Sequence, residues 1–104
     1  MSEHDLVYTQ TEEFQHRVLI CLANIPSGRW VSYQQLGQQA GFERRARHVA
    51  KLLKNLPDDT KLPWHRVVGA GGVIKLPADT PAGKTQRERL ASEGWLISPS
   101  GRLR

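Results

Sequence analysis

Arg44, Arg45, Arg47, His48, Lys51 and Lys54 crowd into one short stretch, with Val49, Leu52, Leu53 and Leu56 recurring at helical spacing among them. A helix of that pattern buries its leucines and presents a polar face that is almost wholly cationic. The chemistry open to such a face is neutralisation of phosphates, although a solvated cationic face has the same pattern. A second stretch, Leu62-Pro63-Trp64-His65-Arg66-Val67-Val68, sets an imidazole and a guanidinium into an apolar run. Charged groups are costly there unless partnered, so the segment holds something unusual. The one cysteine, Cys21, shares an apolar stripe with Phe14, Val18, Leu22 and Ile25. Reactive thiols need exposure and a cationic neighbour, so Cys21 reads as core filler.

The elements that must position these groups follow from periodicity and punctuation. Residues 1–11 show no periodicity and read as a loose arm, with Thr11 ahead of Glu12 and Glu13 as a helix N-cap. The stripe from Phe14 to Ile25 is one face of a helix that stops before Pro26. Ser27-Gly28 is a turn, Trp30-Val31 a short extended piece, and Ser32 the cap of a helix ending at Gln38 or Gln39. Ala40-Gly41 separates it from a second helix over about residues 43–56, which carries the cationic face. Two short helices joined by a glycine-containing turn outline a helix-turn-helix. Gly69, Gly71 and Gly72 turn into Val73-Ile74, predicting a small hairpin. A last helix spans about residues 85–92, ending at Gly94, and the tail adds a short strand and a basic end. Trp30 and Trp95 read as core or surface aromatics.

Composition narrows the function classes. The 104 residues carry a net charge of +5, which suits an anionic partner such as nucleic acid. The length fits a single domain over residues 12–104. One cysteine excludes an internal disulfide framework and a multi-cysteine zinc site, and fits a reducing compartment. No stretch is apolar enough to span or target a membrane, so the sequence reads as cytoplasmic, with no metal or cofactor.

Taken in order, VSYQQLGQQAG, ARHVAKLL, LPWHRVV and ASEG resemble the C-terminal domain of the O6-alkylguanine-DNA alkyltransferases over roughly residues 14–94. In those enzymes the reactive cysteine lies in a Pro-Cys-His-Arg-Val motif, and here Pro63, Trp64, His65, Arg66 and Val67 match it. Trp64 in the place of the cysteine is similar to the alkyltransferase-like proteins, which lack the thiol. The resemblance implies a mainly α fold with a small β component, of helix-turn-helix, winged-helix-like type. It also implies a DNA-associated monomer whose partners are duplex DNA containing O6-alkylguanine and proteins of nucleotide excision repair.

Residue by residue, the resemblance makes Tyr33 the side chain that presses on the backbone during base flipping. Arg47 becomes the finger that takes the vacated place in the stack, with its helix in the minor groove. Arg44, Arg45, Lys51 and Lys54 are the further DNA contacts. Trp64, Val67, Tyr33, Leu53 and Lys75 are the candidate lining of a lesion pocket. Lys75 is included because Pro77 falls where some relatives carry an arginine. Where the transferases carry an asparagine shortly before the loop, this sequence has Leu56, with Asn55 one residue away. Dealkylation needs a thiolate, a base to take its proton and an acid to orient the base. His65 and Glu93 match base and orienter, and with Arg66 they read as a structural remnant. No nucleophile remains, because the indole nitrogen is only a donor. A large aromatic can instead stack on a base or pack against an alkyl group. The alternatives are residual alkyl transfer to Cys21, and a plain helix-turn-helix regulator reading intact DNA through Arg44 or Arg45 in the major groove.

Overall fold

The computed structural model describes the backbone of residues 3–104 and the side chains of residues 11–104. Helix α1 spans Glu3–Ala23, so the loose arm expected over residues 1–11 is helical from Glu3, and Met1 and Ser2 lie outside the described residues. No glycine or proline occurs in that span to break it, and the helix runs through Thr11 rather than starting there. Its apolar stripe is as read from the sequence: Val18, Leu22 and Ile25 are buried, and Phe14 and Cys21 pack against them half-buried. The helix ends as Asn24 N–H and Ile25 N–H turn back onto Cys21 and Leu22 carbonyls at 3.2 and 3.1 Å. Pro26, lacking a donor, prevents continuation.

Strand β1 is only Val31–Ser32 and leads directly into α2, Tyr33–Gln39. Ser32 and Gln35 form a reciprocal capping box, Gln35 N–H donating to Ser32 Oγ at 3.0 Å and Ser32 N–H to Gln35 Oε1 at 2.9 Å. Two orphan amides at the helix start are thereby satisfied, which fixes where Tyr33 begins. After Ala40 the chain turns through Gly41 at φ 93°, a left-handed conformation that glycine adopts without steric cost.

Helix α3 spans Ala46–Lys54, shorter than the expected 43–56. Arg44 has φ 54°, incompatible with a right-handed helix, so Glu43–Arg45 belong to the turn and helical geometry starts only at Ala46. Helices α2 and α3 pack together over Leu36, Ala40 and Val49, all buried. Phe14 meets Phe42 edge-on at 5.0 Å, tying α1 to the turn between them.

The Trp64 segment begins as a short 3-10 turn, Trp64–Arg66, and continues as strand β2, Val67–Val68. Strand β2 pairs in parallel with β1, Val31 opposite Val67 and Ser32 opposite Val68. The expected hairpin is reduced to an isolated antiparallel bridge, Gly69 with Val73, extended by Val73 with Arg102 and Ile97 with Leu103. The last helix, α4, spans Pro81–Ser92 and begins one turn earlier than expected, because Thr80 caps it by accepting from Gly83 N–H at 3.1 Å and Pro81 fits a first turn. Val68, Ile74, Leu90 and Leu103 form a second buried cluster, with Trp30 and Trp95 packed against it.

Gly83 is held under the chain that enters α4: a Cβ at this position would collide with the Pro77 carbonyl oxygen and lie 2.8 Å from Thr80 Oγ1. Alanine would gain about 1 kcal/mol of helix propensity, but overpacking against backbone typically costs about 1–3 kcal/mol. Because the collision is with backbone, the cost falls in the upper part of that range, and Gly83→Ala is expected to lower stability by up to about 2 kcal/mol net. Denaturant unfolding checks this, and an unchanged or higher midpoint would contradict the packing.

Candidate nucleic-acid interface and the Trp64 loop

Three cations of α3, Arg47, Lys51 and Lys54, are exposed and stand at i, i+4 and i+7, one stripe along the helix. Arg44 and Arg45 are also exposed but sit in the preceding turn, so they flank the stripe instead of extending it. Lys51 and Lys54 fall in the last turn, where positive charge is also favoured by the helix dipole. The described ion pairs are Glu13–Arg17, His65–Glu93 and Arg66–Glu93, so none of these five cations is neutralised by a described carboxylate.

Tyr33 is the first residue of α2, the helix packed against α3, and lies half-buried against the first core cluster. Burial raises its pKa above the ordinary 10.0. The phenol is thus neutral at physiological pH and can approach a phosphate without charge repulsion while keeping its O–H as a donor.

The proposed pocket set divides. Tyr33, Leu53 and Val67 share one hydrophobic cluster, but Val67 is only 1 % exposed. As the strand residue opposite Val31 it is core, which corrects its assignment as a lining residue. Lys75 is exposed and its stem lies across Gly69, where an added Cβ would collide with it. It belongs to the glycine turn after β2. Trp64 is half-buried, with the guanidinium of Arg89 over its ring at 5.5 Å. His65 meets its edge at 6.4 Å between centroids. A cavity of about 580 Å³ opens behind the loop, lined by Asp58–Pro63, Ala23, His65, Arg66 and Arg89. It shares His65 and Arg66 with the candidate site residues, and Leu62 and Pro63 with the segment that precedes Trp64.

Beneath Trp64 the three remnant residues meet around one carboxylate. Glu93, the C-cap of α4, accepts from Arg66 Nη2 at 2.8 Å and Arg66 Nε at 3.0 and 3.1 Å. His65 Nε2 lies 2.7 Å from Glu93 Oε2, and Gly28 N–H donates to Oε1 at 3.2 Å. Arg66 Nη1 also donates to the Ile25 carbonyl at 2.7 Å. The Arg66 hydrogen bonds, opposed by burial and aided by His65 and Gly28, hold the Glu93 pKa down to about 2 from 4.5. An ionised carboxylate can only accept, so the Nε2 proton stays on His65. The other ring nitrogen, Nδ1, is buried without a described partner.

Two contributors were missed by sequence reading. Gln86 on α4, 1 % exposed, donates from Nε2 to the carbonyls of His65 at 3.3 Å and Val67 at 3.0 Å. Arg89 covers Trp64. Both act on residues far away along the chain, and the sequence signals only the polar character of position 86 on a helix flank. Cys21 lines a separate cavity with Asn24, Ile25, Pro26, Arg29, Val31 and Gln39, none of which belongs to the Trp64 loop.

The sign of the acid response follows from the lowered pKa of Glu93. Its charge stabilises the fold fully above the ordinary carboxylate pKa, and this stabilisation is lost as pH falls from 4.5 toward 2. Glu93→Gln removes the counter-ion of a largely buried Arg66, an expected loss of about 3 kcal/mol near neutral pH, the low end for breaking a buried pair. The variant's unfolding free energy is expected to vary less than the native protein's across that acid window. Parallel pH profiles of the two proteins would refute the assignment.

The family model for the DNA-binding domain of 6-O-methylguanine DNA methyltransferase matches residues 13–95. A DNA base-flipping protein of Escherichia coli is 40% identical over 92 residues, covering 88% of this chain and 70% of its own. Alkyltransferase-like protein 1 of Schizosaccharomyces pombe is 31% identical over 86 residues, covering 83% of this chain and 80% of its own. The crystal structure of S. pombe Atl1 with damaged DNA containing O6-carboxymethylguanine superposes with a TM-score of 0.77 at 28% identity, covering 89% of this chain and 88% of that one. The O6-methylguanine methyltransferase of Mycobacterium tuberculosis superposes at 0.66 and 35% identity, over 77% of this chain and 47% of its own. A mainly helical domain with a two-residue parallel sheet, a helix-turn-helix and a Trp64-His65-Arg66 turn braced by Glu93 thus belongs to the family of 6-O-methylguanine DNA methyltransferase DNA-binding domains, among relatives of the base-flipping and alkyltransferase-like kind.

Proposed function

We propose that this protein recognises O6-alkylguanine in duplex DNA without transferring the alkyl group. It enters the minor groove with α3, turns the damaged nucleotide out of the stack and holds it beside Trp64. The observation that carries the reading is Trp64 itself: an indole at the head of a loop whose imidazole, guanidinium and carboxylate remain assembled. A base and its orienter without a thiol can bind and position but cannot displace an alkyl group. Cys21, on a separate cavity, is poorly placed to replace the nucleophile.

The roles that the resemblance implies are chemically consistent with these side chains. Lys51 and Lys54 neutralise phosphates beside Arg47, whose guanidinium can fill the gap left by an extruded base and recover part of the few kcal/mol of lost stacking. The neutral phenol of Tyr33 bears on the backbone of the flipped nucleotide. Trp64 offers a π-face to the extruded base or its alkyl substituent. Arg44 and Arg45 supply flanking charge. The monomer then remains on the lesion, and a complex that does not turn over is suited to recruit nucleotide excision repair proteins in the DNA-associated cytoplasm. No metal or cofactor is required for any of these steps.

The relatives support this reading, since one is named for base flipping and another was crystallised on damaged DNA. The expected result is tighter binding of a duplex containing O6-methylguanine than of the unmodified duplex. Arg47→Ala and Tyr33→Ala should each remove about tenfold of that preference, the equivalent of about 1.4 kcal/mol. Fluorescence anisotropy with the two duplexes checks it, and equal native affinities would sink the lesion reading in favour of a general helix-turn-helix binder. Intact-mass measurement after incubation with alkylated DNA is expected to show no added alkyl group. A gain of one would restore an enzymatic role.

A further inference from the structure

The basic end of the chain has no part in the roles assigned so far. Residues 96–104 lie beyond the family match, which stops at residue 95, yet they are built into the fold. Leu96 and Arg104 exchange backbone hydrogen bonds at 3.0 and 2.8 Å, Leu103 N–H donates to Gly72 at 2.9 Å, and Ile74 N–H donates to Gly101 at 2.9 Å. The tail therefore forms the outer strand of a small wing whose inner part is the glycine turn at residues 69–73.

Two exposed cations converge on that turn. Arg102 lies opposite Val73, and its Nε donates to the Gly71 carbonyl at 3.3 Å. Lys75 lies across Gly69 on the other limb. No acidic residue occurs between Asp59 and Asp79 or after Glu93, and neither cation joins an ion pair among the described residues. The wing is also placed near the reading head. Strand β1 contacts the turn, the indole of Trp30 lies against Gly72, and two residues after Trp30 the chain reaches Ser32 and then Tyr33. A cationic wing tip is thereby fixed to the strand that delivers Tyr33.

We infer that Lys75 and Arg102 form a second phosphate-binding surface, which grips the duplex backbone beside the site of base extrusion. The inference rests on the duplex-binding part of the function proposed above and extends it beyond the family's matched region. Glycines at the turn let the backbone approach closely, and the guanidinium keeps free N–H groups after bonding Gly71. Such contacts carry no sequence or lesion information, so they add affinity equally to damaged and intact DNA.

The test is the salt dependence of binding to unmodified and O6-methylguanine duplexes, read by anisotropy. Each phosphate contact contributes about one unit to the slope of log affinity against log salt. Lys75→Ala and Arg102→Ala are each expected to reduce that slope by about 1 on both duplexes, and Arg102→Ala, at a residue outside the candidate lesion pocket, to leave the ratio between the duplexes unchanged. Arg102→Lys, which keeps the charge but loses the planar fork, is expected to retain the native slope. Lys84→Ala, which removes an exposed charge from α4, is expected to leave the slope unaltered. An unchanged slope in the wing variants, an equal drop in Lys84→Ala, or failure of Arg102→Lys to retain the slope would overturn the inference. Loss of the native lesion preference would instead sink the proposed function while leaving the slopes to decide the wing.

Discussion

Everything near Trp64 depends on one ionised carboxylate. Glu93 gathers the guanidinium of Arg66, the imidazole of His65 and the amide of Gly28, and so joins the end of α4 to the Trp64 turn and to the loop after α1. Arg66 carries the connection further by donating to Ile25. Burying a carboxylate or a guanidinium singly would be prohibitive, and burying them together is tolerated because nearly every donor finds an acceptor. Gln86, about two turns earlier on the same side of α4, grips the same loop by its His65 and Val67 carbonyls. One helix thus determines the path of the loop through two independent polar contacts, and the position of the indole at its head follows.

This arrangement separates support from chemistry. In a transferase-like reading the same imidazole and carboxylate serve a thiol, but the hydrogen bonds among Glu93, Arg66 and His65 Nε2 form whether or not a nucleophile is present, with His65 Nδ1 alone left without a described partner. On the proposed reading, an indole in the place of a small thiol changes what the loop presents and leaves what holds it intact. Arg89 illustrates the adjustment: its guanidinium covers one side of the new aromatic ring, an interaction that a cysteine would not offer.

Periodicity and caps made the helices legible, and the motif order made the family legible. The apolar stripe of α1, the Ser32 cap and the cationic side of α3 are local features whose causes lie within a few residues. The failures have non-local or conformational causes. Nothing in the identity of Arg44 announces φ 54°, so periodicity extends α3 three residues too far at its start. No cap or breaker signal reveals that α1 continues back through Thr11 to Glu3. Val67 looked available for a pocket because its parallel partner Val31 is thirty-six positions away and the pairing is only two residues long. The functions of Gln86 and Arg89 are likewise set by a loop that reaches them from another part of the chain. The Glu93 cluster was legible only through the resemblance, since composition alone gives no reason to pair Glu93 with His65.

On the proposed reading, the missing thiol alters the purpose of binding energy. An enzyme gains nothing from holding a substrate more tightly than its transition state requires, whereas a recognition protein with no transition state to reach can spend all of it on residence time. Differences in affinity among related complexes lie mostly in dissociation rates, so each phosphate contact and each stacking surface lengthens the life of the complex. The molecule distributes these functions over separate supports. The cations stand on α3, the phenol on the first residue of α2 and the indole on a turn braced from α4. Flipping a base moves DNA against all three at once. A rigid brace under Trp64 is then more than an inherited framework: if that turn yielded when the extruded base arrived, the contact energy would be lost in reorganising the protein.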